Sequence, residues 1–350
     1  MGIIKLPKES LDYFDLHKNE IFDSGALAEG QWNEEVAQWA CSFTNSPNAL
    51  AFNSNGSGLY TVLRLLKRYR GKKTVFLQSN TMYGVKTIAN SSGLDLIGFV
   101  DCSFPYLMPS LRQVEEFIDT VDNPEESVFL ITHIGGWINP DIEEIANLCS
   151  SKGVGLVEDC AHSLGATINS KHSGLFGDAG VYSLYATKAV PAGEGGVLVT
   201  KDEELYEMSK RFIMYDRFEQ EIDVGVNFRM SELNALLSYS VLKETNNIIA
   251  NKYEVAEKYI DACNQNDISY ITPKDEVHIS NLYKFILIEE KIDPEIKFNK
   301  IETRTSPVYD YCLGRDPYEI ASRHICLPIW FNQDTSMTQK VIEEINSCSR

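Results

Sequence analysis

The sequence predicts an α/β protein in which a largely parallel sheet is flanked by helices. Strand and helix patterns alternate from about residue 50 to residue 200, with the lengths expected of strand–helix–strand crossovers. After about residue 245 the pattern becomes a mixture of strands and helices. We therefore expect a large domain over 1–245, including an N-terminal arm, and a smaller α+β domain over 246–350.

The first predicted elements follow a turn-like run at 53–56. Leu59, Val62 and Leu66 recur at helical spacing and predict a helix over 57–70, while the apolar run 73–77 between polar flanks predicts a buried strand. The alternation continues with helix 83–91, strand 94–100, helix 109–121, strand 127–132, helix 140–151 and strand 153–159.

The pattern changes after this alternation. The runs 180–185 and 195–200 predict two further strands, and the sequence from 203 to about 247 is helical. In the C-terminal part, 282–288 predicts a strand and 337–345 a helix. Because ligands on parallel sheets collect at the carboxyl ends of strands, we look for functional residues just after the strands.

Charge and composition exclude several classes of function. Hydrophobic residues make up 43% of the 350 residues, and 32 Lys and Arg against 50 Asp and Glu give a net charge of −18. A surface this acidic repels nucleic acid and anionic lipid, so we expect neither partner. An anionic small ligand stays possible because a pocket can be locally positive.

The N-terminus and the cysteines indicate the compartment. The first residues lack the order of a signal peptide, and no window approaches the roughly 20 apolar residues of a membrane span. The 8 cysteines are scattered, with no CxxC pair and no cluster at zinc-ligand spacing. We expect a cytoplasmic protein with reduced thiols and no metal site.

A glycine- and serine-rich run opens the first predicted helix. Asn55-Gly56-Ser57-Gly58 would offer free backbone N–H groups, the positive end of a helix dipole and a hydroxyl, which together suit a phosphate. The alternative interpretation is a helix N-cap with flexible glycines.

An acid and an imidazole follow the strand 153–159. Asp159 could pair with a protonated ring nitrogen or bind a metal, or it could cap a helix. His162 could take part in the same site or be structural, and no second histidine lies at ligand spacing.

A lysine closes the apolar stretch that begins at Val181. Lys188 is followed by a turn with Pro191 and a Gly-Glu-Gly-Gly run, and desolvation there would lower its pKa and free its lone pair for carbonyl chemistry. A surface lysine in a glycine-rich turn is the alternative.

Three segments, in order, resemble the DegT/DnrJ/StrS-type nucleotide-sugar aminotransferases. Residues 158–166, Glu-Asp-Cys-Ala-His-Ser-Leu-Gly-Ala, resemble the family's Glu-Asp-Ala-Ala-Gln-x-x-Gly-Ala, and 183–196 resemble its Ser-Phe-x-x-x-Lys-x-x-x-x-Gly-Glu-Gly-Gly. Residues 227–232, Asn-Phe-Arg-Met-Ser-Glu, resemble its Asn-Tyr-Arg-Met-Ser-Glu, and the Leu-Pro of 326–329 resembles a C-terminal segment. The resemblance implies the aspartate aminotransferase fold (fold type I), with a mixed sheet of the seven-stranded type, and pyridoxal 5'-phosphate (PLP) as cofactor.

The resemblance also assigns roles. Lys188 would bond covalently to the cofactor aldehyde and later move protons, and Asp159 would keep the pyridine nitrogen protonated. Gly56, Ser57 and Ser183 would bind the phosphate. Asn227 would reach the phosphate in the neighbouring subunit, which implies a homodimer with shared active sites.

Other positions match the family less closely. His162 stands where members commonly have Gln, and it could still donate a hydrogen bond to the phenolic oxygen of the cofactor. The family's stacking aromatic falls at Met82, so we assign stacking on the pyridine ring to the next residue, Tyr83. We expect His133 near the substrate, with structural packing as the alternative, and Arg229 at an anionic group of a substrate.

The sequence therefore predicts transfer of an amino group from L-glutamate to a keto group of a nucleotide-linked deoxysugar, first of all a dTDP-4-keto-6-deoxyhexose. Such amino sugars enter surface polysaccharides such as O-antigen or glycosylated metabolites. The alternatives are a sugar 3-dehydratase of the same fold, which Lys188 disfavours because that branch has His there, an aminotransferase for a smaller keto phosphate or cyclitol, and a catalytically idle PLP-binding regulator.

Overall fold

The computed structural model describes residues 4–215, 217, 223–289, 300–303, 306–316 and 318–348. The strands in chain order are β1 Asn48–Phe52, β2 Thr74–Gln78, β3 Asp95–Val100, β4 Ser127–Thr132, β5 Gly155–Cys160, β6 Thr167–Ile168, β7 Lys171–His172, β8 Ala179–Ser183, β9 Gly196–Thr200, β10 His278–Ile279, β11 Phe285–Ile288 and β12 His324–Leu327. The helices are α1 Lys8–Ser24, α2 Gln31–Thr44, α3 Asn55–Tyr69, α4 Tyr83–Ser91, α5 Leu111–Ile118, α6 Ile142–Ser151, α7 Glu203–Met214, α8 Glu232–Leu242, α9 Thr245–Gln265, α10 Tyr318–Ala321 and α11 Thr335–Ser347, with a 3₁₀ turn at Pro124–Glu126.

A seven-stranded mixed sheet forms the centre of the molecule, in the order β1-β9-β8-β5-β4-β2-β3. Strands β3, β2, β4, β5 and β8 pair in parallel, whereas β9 is antiparallel to both β8 and β1. The predicted fold class is confirmed, and the parallel part of the sheet brings the carboxyl ends of four consecutive neighbours to one edge.

Alternation along the central strands supplies two buried faces. On β2, Val75 and Leu77 join a cluster that includes α3 and α7, while Phe76 between them faces a cluster formed with α5 and α6. All three side chains are fully buried. Burial on both faces explains why these strands are continuous apolar runs in the sequence.

The predicted elements between 57 and 200 all form, with ends shifted by a few residues. The helix predicted from 57 begins at Asn55 because the hydroxyl of Ser54, its N-cap, accepts from the backbone N–H of Ser57 at 3.1 Å. The sequence pattern did not reveal β1, whose five residues pair with β9 almost 150 positions later, nor did it predict α1 and α2.

The C-terminal part has a buried cluster of its own, built from α9, α11, β11 and β12. Strand β11 covers the second half of the predicted strand 282–288, and α11 extends the predicted helix 337–345 at both ends. A second cluster joins residues such as Ile134 and Trp137 to Ile286 and Cys326, across the expected boundary at 245. That boundary stays a proposal.

Within the described ranges, no helix combines the length and the apolar character that crossing a bilayer requires.

Candidate active site

The functional candidates converge at the carboxyl edge of the parallel strands. Asp159 lies at the end of β5, and Ser183 ends β8 beside it. Thr132 ends β4 on the other side of β5 and pairs with Asp159 in the strand register. The loop that carries Lys188 follows Ser183 directly. This is the position at which parallel sheets place ligands.

Asp159 is a buried carboxylate that is only partly satisfied. It is 2% exposed, and Oδ1 accepts from Asn55 Nδ2 and from the backbone N–H of Ala161, both at 3.1 Å. Oδ2 has one long contact, 3.4 Å from the hydroxyl of Thr132. Burial raises the pKa of Asp159, although the Ala161 N–H and the charge of Lys188 oppose the rise. Among the described residues no cation forms a salt bridge with it.

Its neighbour Glu158 lies in the opposite kind of environment. Its two oxygens accept from the backbone N–H groups of Gly174, Phe176 and Gly177, each at 2.7 Å, and from His133 Nε2 at 2.9 Å. Burial alone would raise the pKa of Glu158, but these hydrogen bonds outweigh it and the net shift is downward. Glu158 therefore stabilises the strand edge rather than facing the pocket.

His133 lies beneath the site and is fully buried. Its Nδ1 accepts from the backbone N–H of Asn139 at 3.2 Å, so Nε2 carries the hydrogen that it donates to Glu158. The ligand atoms of His133, Glu158 and Cys160 lie within 4.8 Å of one another, but the carboxylate and imidazole lone pairs are already used. This group does not fit a metal ion, and we propose that His133 positions Glu158 rather than contacts a substrate.

The N-terminus of α3 lies against the same edge. Ser57 donates its hydroxyl to Asn53 Oδ1 at 2.5 Å and its N–H to Ser54, whereas no hydrogen bond within the described residues uses the N–H of Gly56. Ser183 is buried, and its hydroxyl accepts from the N–H of Tyr185 at 3.3 Å. The structure thus brings Gly56, Ser57 and Ser183 to neighbouring element ends, as a phosphate site requires.

A glycine lets these parts approach. A Cβ on Gly196, which begins β9 opposite Ser183, would lie 2.5 Å from backbone atoms of Ser54 and Asn55. Real Cβ contacts are essentially never that short, so only glycine allows the N-terminus of α3 to lie against this strand. The second glycine of the Gly-Glu-Gly-Gly run therefore has a packing reason that is independent of any ligand.

Lys188 lies in the loop after β8, and its amine points over the ring of Tyr283, 5.1 Å from the centroid. The N–H of Lys188 closes a turn onto the carbonyl of Tyr185 at 2.9 Å. A pocket next to it has walls from the N-terminal arm, α9 and the segment after β12, and includes Lys252 and Trp330. No acid among the described residues forms an ion pair with the Lys188 amine.

His162 is buried beside Lys188. Its ring packs on Tyr283 with centroids 4.4 Å apart, and its Nδ1 accepts from the N–H of Gly135 at 3.4 Å. Burial, together with the charges of Lys188 and Lys284, lowers the pKa of His162 well below its usual value. The imidazole is therefore neutral, and its Nε2–H is a donor with no acceptor among the described residues.

Tyr83 opens α4 but does not face this group. Its ring is 55% exposed and stacks on Tyr311, with centroids 3.9 Å apart and planes at 20°. Its backbone N–H donates to the Tyr311 hydroxyl at 3.1 Å. Met82 beside it is also exposed. The aromatic rings that the structure packs next to His162 are Tyr283 and Tyr309, and stacking by Tyr83 stays a proposal.

Asn227 and Arg229 lie in the extended segment before α8. Asn227 is exposed, and its Oδ1 accepts only from the N–H of Arg229, at 3.4 Å. The guanidinium of Arg229 lies beside Glu29, with Nε 2.5 Å from a carboxylate oxygen, and donates to the carbonyl of Ile213 at 2.8 Å. Because Glu29 already pairs with this charge, the structure gives Arg229 an internal partner within its own chain.

Sequence reasoning missed several residues of the site. Asn55 was part of the phosphate motif, but its bonds to Asp159 and to the carbonyl of Val181 were not foreseen. Tyr283 and Lys252 carry no motif signal, since they come from the C-terminal part and reach the site only through folding.

These residues fit the PLP that the family resemblance implies. The half-satisfied Asp159 would hold a protonated pyridine nitrogen, which would supply the salt bridge that its buried carboxylate lacks. The helix end at Gly56 and Ser57 suits a phosphate. Lys188 provides the amine for an aldehyde, and the neutral His162 donor suits an anionic phenolic oxygen.

Comparison with known proteins points the same way. The model of the DegT/DnrJ/EryC1/StrS aminotransferase family matches residues 13–346. A GDP-perosamine synthase of Vibrio cholerae is 24% identical over 94% of this chain and 93% of its own, and a UDP-4-amino-4,6-dideoxy-N-acetyl-beta-L-altrosamine transaminase of Helicobacter pylori is 26% identical over 69% of this chain and 64% of its own. The crystal structure of a DegT DnrJ EryC1 StrS aminotransferase from Brucella abortus superposes with a TM-score of 0.85, at 19% identity, covering 99% of both chains.

Proposed function

The chain belongs to the DegT/DnrJ/EryC1/StrS aminotransferase family, whose members depend on PLP, and from this premise we propose that it moves the amino group of L-glutamate to a keto group of a nucleotide-linked deoxysugar. The named relatives support a sugar as acceptor, because two of them make or act on nucleotide-linked amino sugars. A dTDP-4-keto-6-deoxyhexose is our first candidate, and the relatives named for GDP and UDP sugars make those nucleotides the next ones to test.

The observation that carries the proposal is the pair formed by Asp159 and Lys188. A buried carboxylate without a salt bridge faces an amine without an acidic partner, across the carboxyl ends of β5 and β8. A pyridine-aldehyde cofactor would satisfy both groups. When bound, PLP supplies an electron sink that stabilises negative charge on the substrate carbon next to nitrogen.

The residues of the chain would do the rest. Asp159 holds a proton on the ring nitrogen, and the neutral His162 orients the ring through its Nε2–H. Lys188 Nζ takes the proton from the substrate carbon and returns it on the other side of the half-reaction. Gly56, Ser57 and Ser183 hold the phosphate, together with Asn227 from the second subunit of a proposed homodimer.

The test is a screen of keto sugars linked to dTDP, GDP and UDP with L-glutamate, following the release of 2-oxoglutarate. We expect turnover with at least one of them, and none with Lys188→Ala. Turnover of a small keto phosphate or cyclitol, with every sugar nucleotide inactive, would contradict the sugar assignment. A Lys188→Ala variant that keeps wild-type turnover would contradict the role of the lysine.

A further inference from the structure

A second lysine lines the pocket of Lys188. Lys252, in α9, is only 3% exposed, yet its side chain borders the same pocket as Lys188, Tyr283 and Trp330. A buried ammonium is costly unless a partner compensates it, because burial removes its hydration. The question is what partner the structure provides.

The protein itself provides none among its described residues. No hydrogen bond or ion pair involves the Lys252 amine there, and the charged group that acts on it most strongly is another cation, Lys284. Lys5 shows the contrast within the same pocket, since its amine is held by Asp334 at 2.8 Å and by the carbonyl of Asn332 at 2.9 Å.

A neighbouring group has the same unmet requirement. The indole Nε1–H of Trp330, which lines this pocket, is buried and has no acceptor. Lys252 and Trp330 are both donors, and neither can accept. The group that would satisfy both must bring oxygen lone pairs and negative charge.

We propose that Lys252 and the indole N–H of Trp330 form an oxyanion-binding subsite for the substrate, next to Lys188. The ligand is a carboxylate of the amino-acid donor or the diphosphate of the sugar nucleotide, two sources of the same anionic oxygen chemistry. The subsite rests on the proposed function, because both anions belong to the substrates of that reaction. In a chain with a net charge of −18, this cluster makes the pocket locally positive.

The titration of Lys252 gives the subsite a pH dependence. Burial and the nearby Lys284 lower its pKa to about 7. Other titratable groups that line the pocket are Lys5, Lys188 and Tyr283. Since the amine is charged only below its pKa and a bound anion raises that pKa, anion affinity should fall as the pH rises from 7 to 9.

The test compares Lys252→Met with the wild type in the holoenzyme, so that the cofactor occupies its own phosphate site. Calorimetry would measure binding of glutarate, as the dicarboxylate probe, and of inorganic pyrophosphate, as the diphosphate probe. We expect the substitution to weaken at least one probe by tenfold or more and to abolish the loss of affinity above pH 7. Lys5→Met is the matched control, and it should stay within about twofold because its amine is already paired.

The pattern identifies the source. Weakening of glutarate alone assigns the subsite to the amino-acid donor, and weakening of pyrophosphate alone assigns it to the sugar nucleotide. Unchanged affinity for both probes in Lys252→Met, or no binding of either to the wild type, would overturn the proposal. The melting temperature of the cofactor-free variant separates a structural role, which would lower it, from the ligand role, which would leave it unchanged or higher. Because these titrations need no keto sugar, they stay informative if the substrate screen fails.

Discussion

At the residue scale, two adjacent acids show how the fold separates stability from function. Glu158 receives four hydrogen bonds and the contact of His133, so its charge is compensated within the protein. Asp159 is as deeply buried but has no cation bonded to it among the described residues, and its pKa is raised. An acid whose folded pKa is raised destabilises the fold above its unfolded pKa. Asp159 is therefore a cost that a ligand offsets.

This contrast predicts opposite effects of two isosteric changes. Asp159→Asn should leave the free energy of unfolding of the cofactor-free protein unchanged or higher at pH 7, while it lowers transamination by on the order of a hundredfold. Glu158→Gln should lower the free energy of unfolding by about 3 kcal/mol, because an amide cannot accept all four hydrogen bonds.

Urea unfolding of the cofactor-free proteins and steady-state transamination measure both effects. The interpretation would be wrong if Asp159→Asn lost more stability than Glu158→Gln, or if it kept the activity of the wild type.

At the element scale, the site depends on how closely α3 approaches β9. The phosphate-binding end of α3 lies against Gly196, with no room for a Cβ. The hydrogen bond from Asn55 to Asp159 then ties the first turn of α3 to the end of β5. The position of this helix is thus set by strand contacts as well as by its own N-cap.

Gly196→Ala should therefore move the start of α3 and weaken cofactor binding. We expect the Kd for PLP, measured by absorbance titration, to rise at least tenfold, with a loss of stability of about 1–3 kcal/mol from overpacking. Gly155→Ala is the control, because a Cβ at this position on β5 meets ordinary contacts at 3.4 Å. Equal PLP affinity in the two variants would show that the close approach does not position the cradle.

The elements also show what the sequence could predict. Helices and strands between 57 and 200 were predictable because apolar periodicity is local, and Lys188 and Asp159 because their motifs are contiguous. The hydrogen bond from Asn55 to Asp159 joins residues 104 positions apart, and the contact of Tyr83 with Tyr311 spans 228. Lys252 and Tyr283 reach the pocket only through the packing of the C-terminal part, which no local pattern encodes.

At the scale of the whole molecule, one functional candidate lies apart from the others. Asn227 is exposed in the single chain, whereas Gly56, Ser57 and Ser183 are grouped at the sheet edge. A second subunit that brings its Asn227 to this edge would explain both positions. The homodimer with shared sites is therefore a proposal about residues as well as about assembly.

Subunit complementation tests it. Lys188→Ala and Asn227→Asp should each inactivate the homodimer, the first by removing the amine and the second by placing a negative charge at the phosphate. In a mixed dimer one site would contain both changes and the other would contain neither, so co-expression with two affinity tags should restore up to half of the wild-type activity per dimer. Activity no higher than that of either variant alone would show that each site is built from one chain.

The central claim is that Lys188 is the amine that bonds to the cofactor. The most direct measurement is borohydride reduction of the holoenzyme followed by proteolysis and mass spectrometry. We predict a phosphopyridoxyl label on the peptide that contains Tyr185 to Lys188, and none on that peptide in Lys188→Ala. A label on Lys252 or on any other lysine of the wild type, or protein that takes up no PLP, would contradict the account.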